Sequence, residues 1–467
     1  MKLSIKVPPY YTKERAYIID VLFGVFLGLD YLIEIEDRSN TSISLDGINC
    51  ITLPDILFQC PEEKWLSLDS LPKQPLNVWD TRSLGFNCCL TSHHIPVIYG
   101  YQDTALPAFS KKQRLGSIDL PIDIIGSAFF MITRYEEIVK SDRDREGHFP
   151  VHASLAFQEG FLERPIINEY LEILWACLQY VSPGLERSIR QGRTFLTHDV
   201  DSPLSSMQMN WRQIFRSCVG DMVKRESIGL AEKRMKAKVD FQKGYYDNDP
   251  HNTYDFIMDI SERHNVVSLF NFIFAEVTDS GTTSYNAEHP FIINLIKKIK
   301  QRGHEIGWHA GLQTFNNPTN AKNEYNRFVS LCAKLGIDQK KTGGRQHHLC
   351  WENPVTWRIW DELGLDYDST VYFAEIPGFR CGVCYEYPVF DLISRRRLVL
   401  TERPLILMDT SLFAYQKVDL AEAYDITVKI NDVCKKFRGE FIGLWHNSKI
   451  IAPRVKEWYV NVIEAIC

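Results

Sequence analysis

Along the first hundred residues, short apolar runs alternate with turns. Residues 17–27 carry apolar side chains at helical spacing and predict an amphipathic helix, whereas residues 31–36 alternate with a period of two and predict a half-buried strand. Residues 42–45 and 95–99 predict two more strands, the second at an edge because Pro96 cannot donate to a ladder. Residues 1–120 therefore read as a smaller α+β or α/β domain. Residues 122–135 turn apolar and aromatic and predict a buried helix, and residues 140–148, charged at almost every position, predict a solvent loop. Residues 168–180 are again helical in pattern, ended by Pro183-Gly184. We expect residues 121–189 to be a mainly helical connector packed on a second domain.

Beyond residue 190 strands and helices alternate. An apolar run ends at Thr197-His198-Asp199-Val200-Asp201, and a helix-compatible insertion follows at about 207–243. Then come helix 254–263, strand 266–272, helix 290–302, strand 305–309, helix 323–335, strand 342–345 and helix 354–363. Short strands around Tyr367 and at 387–392, strand 398–408, helix 421–437, strand 441–445 and helix 455–465 complete the chain. Repeated βα units predict a parallel sheet, and seven or eight of them with no obvious edge predict closure into a (β/α) barrel over residues 190–467. An open doubly wound α/β sheet is the rival, but the spaced glycines it would usually carry after its first strand are absent.

Composition narrows the partners. A chain of 467 residues exceeds one hydrophobic core, and 45% apolar with 24% charged residues is ordinary for a globular protein. The net charge of -6 gives no whole-molecule attraction to nucleic acid, so no nucleic-acid partner is expected. The strongest apolar run, residues 21–29, is too short to span a bilayer, so no integral membrane segment is expected. Residues 1–9 lack the pattern of a secretory signal, and a cytoplasmic protein is expected. One region runs against the overall charge: residues 212–243 hold nine Lys/Arg against four Asp/Glu. It could steer an anionic substrate, although a solvated helical face with i,i+4 pairs is the simpler account. The 12 cysteines read as small hydrophobes, and Cys381-Gly-Val-Cys384 resembles half a zinc knuckle without its second half.

The candidate chemistry sits at predicted strand ends. Asp199, Asp201, His309, Arg345, His347, Asp368, Asp409 and His446 all fall at or just beyond one, and in a barrel such positions share a mouth. Carboxylates two residues apart are tolerated where a cation lies between them or one holds a proton. The plainer alternative is a strand exit whose aspartates cap a following helix.

Five stretches in order, Thr197-His198-Asp199-Val200-Asp201, Gly303-His304-Glu305-Ile306-Gly307-Trp308-His309, Gly344-Arg345-Gln346-His347-His348, Pro404 through Asp409, and Leu444-Trp445-His446-Asn447-Ser448, resemble the polysaccharide deacetylase family. These are metal-dependent carbohydrate esterases that remove acetyl groups from N-acetylated sugars. The nearer likeness is to a bacterial branch with a separate N-terminal domain. The resemblance implies a distorted (β/α) barrel, commonly seven-stranded. It also implies that Asp199 is the general base and Asp201 a metal ligand, roles the sequence leaves exchangeable because Val200 separates two aspartates that are adjacent in the usual motif. His309 matches the first of two histidines, but Gln313 stands where the second belongs, and His304 is not its partner by position. His347 occupies the proline position of the third motif and restores the ligand set, with His348 the lesser choice.

By the same resemblance Arg345 holds Asp199, His446 is the general acid and Asp409 orients it. Trp308 and Trp445 could stack on a pyranose or wall the acetyl pocket, core packing being simpler for both; Arg380 could shape the cleft or merely pack a loop. The implied cofactor is one divalent metal ion, Zn first, with Co, Mn or Ni as alternatives, and the implied partner is an N-acetylated carbohydrate or glycan intermediate. Two other functions stay open: a non-catalytic glycan-binding or scaffold protein, which Gln313 favours, and a hydrolase of O-acetyl esters or small amides. Oligomeric state is not readable.

Overall fold

The computed structural model describes residues 2–45, 47, 49–101, 117–275 and 285–467. It divides into two units: Met1–Gly192 with Gly378–Pro404 and Val433–Gly439, and Arg193–Pro377 with Leu405–Asp432 and Glu440–Cys467.

The first unit is the smaller sheet. Strands Leu3–Val7, Tyr31–Ile35, Asn40–Ser44, Cys50–Pro54 and Ser117–Asp119 form one sheet with Leu3–Val7 between Tyr31–Ile35 and Asn40–Ser44, mixing parallel and antiparallel pairs. Asn77–Asp80 and His94–Val97 make a two-stranded ribbon, which tolerates Pro96. Helix Ile124–Ile132 is buried along its whole length, as its largely apolar sequence requires, and Asp123 caps it by accepting from the Gly126 N–H. Residues 121–189 thus lie in the first unit, which the chain rejoins twice. The expected strand 398–408 is two strands: Arg396–Glu402 pairs antiparallel with Tyr387–Asp391 in this unit, and Leu407–Met408 lies in the other. Pro404 divides them, having no N–H for a ladder.

Seven parallel strands build the second unit: β1 (Arg193–Val200), β2 (Ser268–Phe272), β3 (Glu305–Ala310), β4 (Gly343–Gln346), β5 (Tyr367–Asp368), β6 (Leu407–Met408) and β7 (Glu440–Leu444). Their hydrogen-bonded order is β5-β4-β3-β2-β1-β7-β6, every neighbour pair parallel. The architecture is mixed α/β with a parallel sheet, and among the described residues no pairing joins β5 to β6. Between β1 and β2 the insertion forms two helices, Trp211–Val223 and Ile228–Phe241. Among the described residues no helix is long and apolar enough to cross a membrane.

Candidate metal centre

Parallel strands put all their C-terminal ends on one edge, and register brings the polar residues there into rows. Asp199 pairs with Asn271 and Asn271 with Gly307, while His309 pairs with Arg345. Asp199 and Asp201 are two residues apart at the end of a strand, where a period of two directs both side chains to the same face, with Val200 and His198 on the other. His198 is accordingly a core residue. Its Nδ1 donates to the Trp445 carbonyl at 2.9 Å, its ring stacks on Phe270, and burial pushes its pKa down to about 3.

Asp201, His309 and His347 converge, their ligand atoms all lying within 4.8 Å of one another. His309 Nδ1 faces the Arg345 carbonyl at 2.9 Å and must carry its proton there, which aims Nε2 at Asp201 Oδ1, 3.0 Å away. His347 Nε2 lies 3.6 Å from the same oxygen. Burial pushes the pKa of His347 down to about 4, so this imidazole is neutral at pH 7, the form that binds cations. Burial opposes charge on His309 too, but Asp199 and Asp201 outweigh it and raise its pKa. Burial likewise opposes ionisation of Asp201, yet the hydrogen bond from His309 and the other nearby imidazoles hold its carboxyl well below the usual range. One carboxylate and two imidazoles, one of them oriented by a backbone carbonyl, are the donor chemistry of a divalent transition metal that keeps an open position. The implied ion therefore fits the residues present.

Asp199 sits beside this cluster, its Oδ2 3.8 Å from His309 Nε2. Oδ1 accepts from Arg345 Nη1 at 2.9 Å and Asn271 Nδ2 at 2.7 Å. Arg345 is itself fixed: Nε donates to the Ser369 carbonyl, Nη2 to Ser369 Oγ and Nη1 also to Thr197 Oγ1. Burial works against the charge of Asp199, but Arg345 and the imidazoles prevail and keep it ionised. The Asn271 Oδ1 has no partner among the described residues and presses on Gly307, where a Cβ would come within 2.1 Å of it. Only glycine permits that approach.

Past the end of β7, His446 approaches the other Asp201 oxygen, with Nε2 3.5 Å from Oδ2. Its Nδ1 and its backbone N–H donate to the two oxygens of Asp409, each at 2.7 Å. Burial opposes the imidazolium, but Asp409 overcomes it and the pKa rises to about 9. The loop after Asp201 is pinned by Asp249, whose carboxylate accepts from the N–H groups of Ser205 and Ser206. Asp249, rather than Asp199 or Asp201, performs the capping that the plainer sequence reading assigned to the pair.

Other candidates lie elsewhere. Trp308 is wholly buried, stacked on Trp360 and donating Nε1 to Glu324, so it cannot offer a face to a sugar. Trp445 is equally buried against Trp458 and Tyr459. Arg380 belongs to the first unit, where it pairs with Glu137 through two hydrogen bonds. Burial corrects the sugar-facing role of all three in favour of the packing alternative: the rings lie in the core and the guanidinium is held by Glu137. His304 accepts from the Ser268 N–H inside the fold, Gln313 is exposed, and His348 is exposed with a left-handed backbone, φ 58°. Burial pushes the Cys381 thiol up to about 12, against a zinc thiolate. Asn271, Ser369 and Asp249 were not singled out from the sequence. Only Asn271 carried a signal there, one amide inside the apolar run Leu269-Phe270-Asn271-Phe272.

The model of a family of unknown function (DUF7033) matches residues 3–183. No curated protein matches the chain. Among solved structures, a Mycobacterium smegmatis protein described as a polysaccharide deacetylase is similar at 17% identity and TM-score 0.36, over 59% of this chain and 84% of that one. A PuuE allantoinase is similar at 11% identity and TM-score 0.34, over 59% and 83%. The polysaccharide deacetylase of Bacillus cereus is similar at 12% identity and TM-score 0.27, over 60% and 85%.

Proposed function

We propose that the chain is a metal-dependent hydrolase that removes an acetyl group from an N-acetylated sugar or glycan intermediate. The observation that carries this reading is that Asp201, His309 and His347 form one cluster with an anchored carboxylate, Asp199, and a carboxylate-bound imidazole, His446, beside it. The resemblance of the five motifs supplies the substrate class. The seven parallel strands suit the distorted barrel that this resemblance implies.

In this reading Asp201, His309 and His347 hold a divalent ion, Zn first, which when bound lowers the pKa of water and polarises a carbonyl oxygen. Asp199 takes the proton of the attacking water. Arg345 and Asn271 both occupy its Oδ1, so Oδ2, the oxygen facing His309, is the one left to accept it. An amine leaves poorly unless protonated, and His446, charged at neutral pH, can donate from Nε2 while Asp409 keeps the ring in place through Nδ1.

The test is metal analysis joined to acetate release over N-acetylhexosamines, short oligosaccharides and O-acetyl sugars. Purified protein is expected to hold about one ion per chain, to lose acetate release on chelation and to regain it with Zn. His309→Ala should lose ion and activity together. Absence of any bound or restorable ion would falsify the hydrolase reading, whereas an ion with no acetate release from any substrate would favour the glycan-binding alternative.

A further inference from the structure

The basic insertion between β1 and β2 is not the evenly solvated face that its charge suggested. Helix Trp211–Val223 buries Ile214 and Cys218 against Ala231 of helix Ile228–Phe241, flanked by Met209 and Met235. Asp221 on the same side accepts from Arg234 Nε at 2.7 Å, and Asn210 and Gln213 form a capping box at the helix start. Those contacts account for one face of the helix. The other also carries large apolar side chains: Trp211, Phe215, Val219 and Met222 follow at intervals of four, four and three residues, a single stripe. Phe215 is 58% exposed, Val219 55% and the neighbouring Val223 72%, and Ile228 opens the second helix at 67%. Single exposed apolar residues need no explanation, but five on one short helix do.

Arg212 and Arg216 border the stripe, Lys224 and Arg225 close its end, and Lys233 and Lys236 are exposed on the second helix. The nine Lys/Arg against four Asp/Glu of residues 212–243 stand in a chain of net charge -6, so this hairpin is positive within a negative chain. We propose that the hairpin of helices Trp211–Val223 and Ile228–Phe241 docks the protein on an anionic lipid surface, with the stripe from Trp211 to Val223 set into the headgroup boundary. An apolar stripe with arginine and lysine beside it is the pattern of helices that lie in a membrane interface: long basic side chains reach the phosphates while the stripe leaves water. Thirteen residues are too few to cross a bilayer, so the helix lies along it. A second copy is the poorer occupant, because packing stripe against stripe would bring together two hairpins that each carry nine Lys/Arg against four Asp/Glu. The hairpin grows from the loop that carries Asp201, since Gln208 Nε2 donates to the Asp201 carbonyl at 2.7 Å. The proposal does not depend on the hydrolytic reading.

Full-length protein is to be sedimented with phosphatidylcholine vesicles with and without phosphatidylglycerol, at low and high salt. It should pellet with the anionic vesicles, stay largely in solution with pure phosphatidylcholine, and be released as salt rises. Phe215→Ser combined with Val219→Ser should weaken binding by about tenfold or more without changing the melting temperature downward, because both side chains are solvent-exposed. Wild type left in solution with both vesicle types overturns the proposal, and this comparison needs no variant. It is equally overturned if the double serine variant binds as wild type does, or if the free protein is a dimer that the double variant dissociates.

Discussion

Asp201 meets three imidazoles, and each has a different protonation bias. His347 is kept neutral by burial, His309 is drawn toward its charged form by Asp199 and Asp201, and His446 is held charged by Asp409. In the proposed reading the contrast suits His347 as a ligand and His446 as the acid: a neutral ring can give a lone pair, and a charged one can give a proton. The base of the proposed reading, Asp199, is tied by two donors on one oxygen. Asp199→Asn is therefore expected to keep the ion but to cut acetate release by about 100-fold or more, checked by metal content and turnover on the same preparation. That Asp201, His309 and His347 gather was legible because each falls at or just beyond a predicted strand end. What the sequence hid was commitment. Trp308, Trp445 and Arg380 have side chains suited to sugar, but whether a ring is spent on a core contact depends on neighbours such as Trp360 or Glu137 that are distant along the chain.

At the scale of elements, the site depends on how closely β2 and β3 approach. Gly307 lets the Asn271 side chain lie flat against the neighbouring strand, and Gly307→Ala would place a Cβ 2.1 Å from Asn271 Oδ1 and 3.0 Å from the Gly343 carbonyl. Backbone on one side cannot yield, so Asn271 must move away from Asp199. The substitution is expected to destabilise the fold by about 1 to 3 kcal/mol, read as a lower denaturation midpoint, and to reduce turnover more than metal content. Helical and strand periods were readable for most elements; helix Tyr254–Arg263 has the bounds its pattern predicts. Residues 398–408 misled because the apolar pattern resumes after Pro404, although the hydrogen bonding does not. The insertion misled in another way. Its charge was visible in sequence, but which apolar residues remained uncovered became visible only once Ile214 and Cys218 had been paired off.

At the scale of the molecule, buried histidines tie stability to pH. His198 has an ordinary pKa of 6.5 that burial lowers to about 3 in the fold, so between those values the unfolded chain binds the extra proton. Its contribution is present in full above pH 6.5 and is lost as pH falls toward 3. His251, pushed down to about 4 by burial, acts with the same sign, while Asp123 and Asp368, whose pKa values burial raises to about 7, act with the opposite one. The informative measurement is thus a difference: the gap in melting temperature between wild type and His198→Gln should narrow as pH drops from about 6.5 to about 4, and a constant gap would contradict the assignment.

The chain rejoins its first unit at Gly378–Pro404 and again at Val433–Gly439. During synthesis, residues 1–192 therefore leave the ribosome short of two of the unit's pieces, and the last does not arrive until Gly439 has been translated. Until then helix Ile124–Ile132, largely apolar, has an incomplete shelter, and transiently exposed surface of that kind is prone to association.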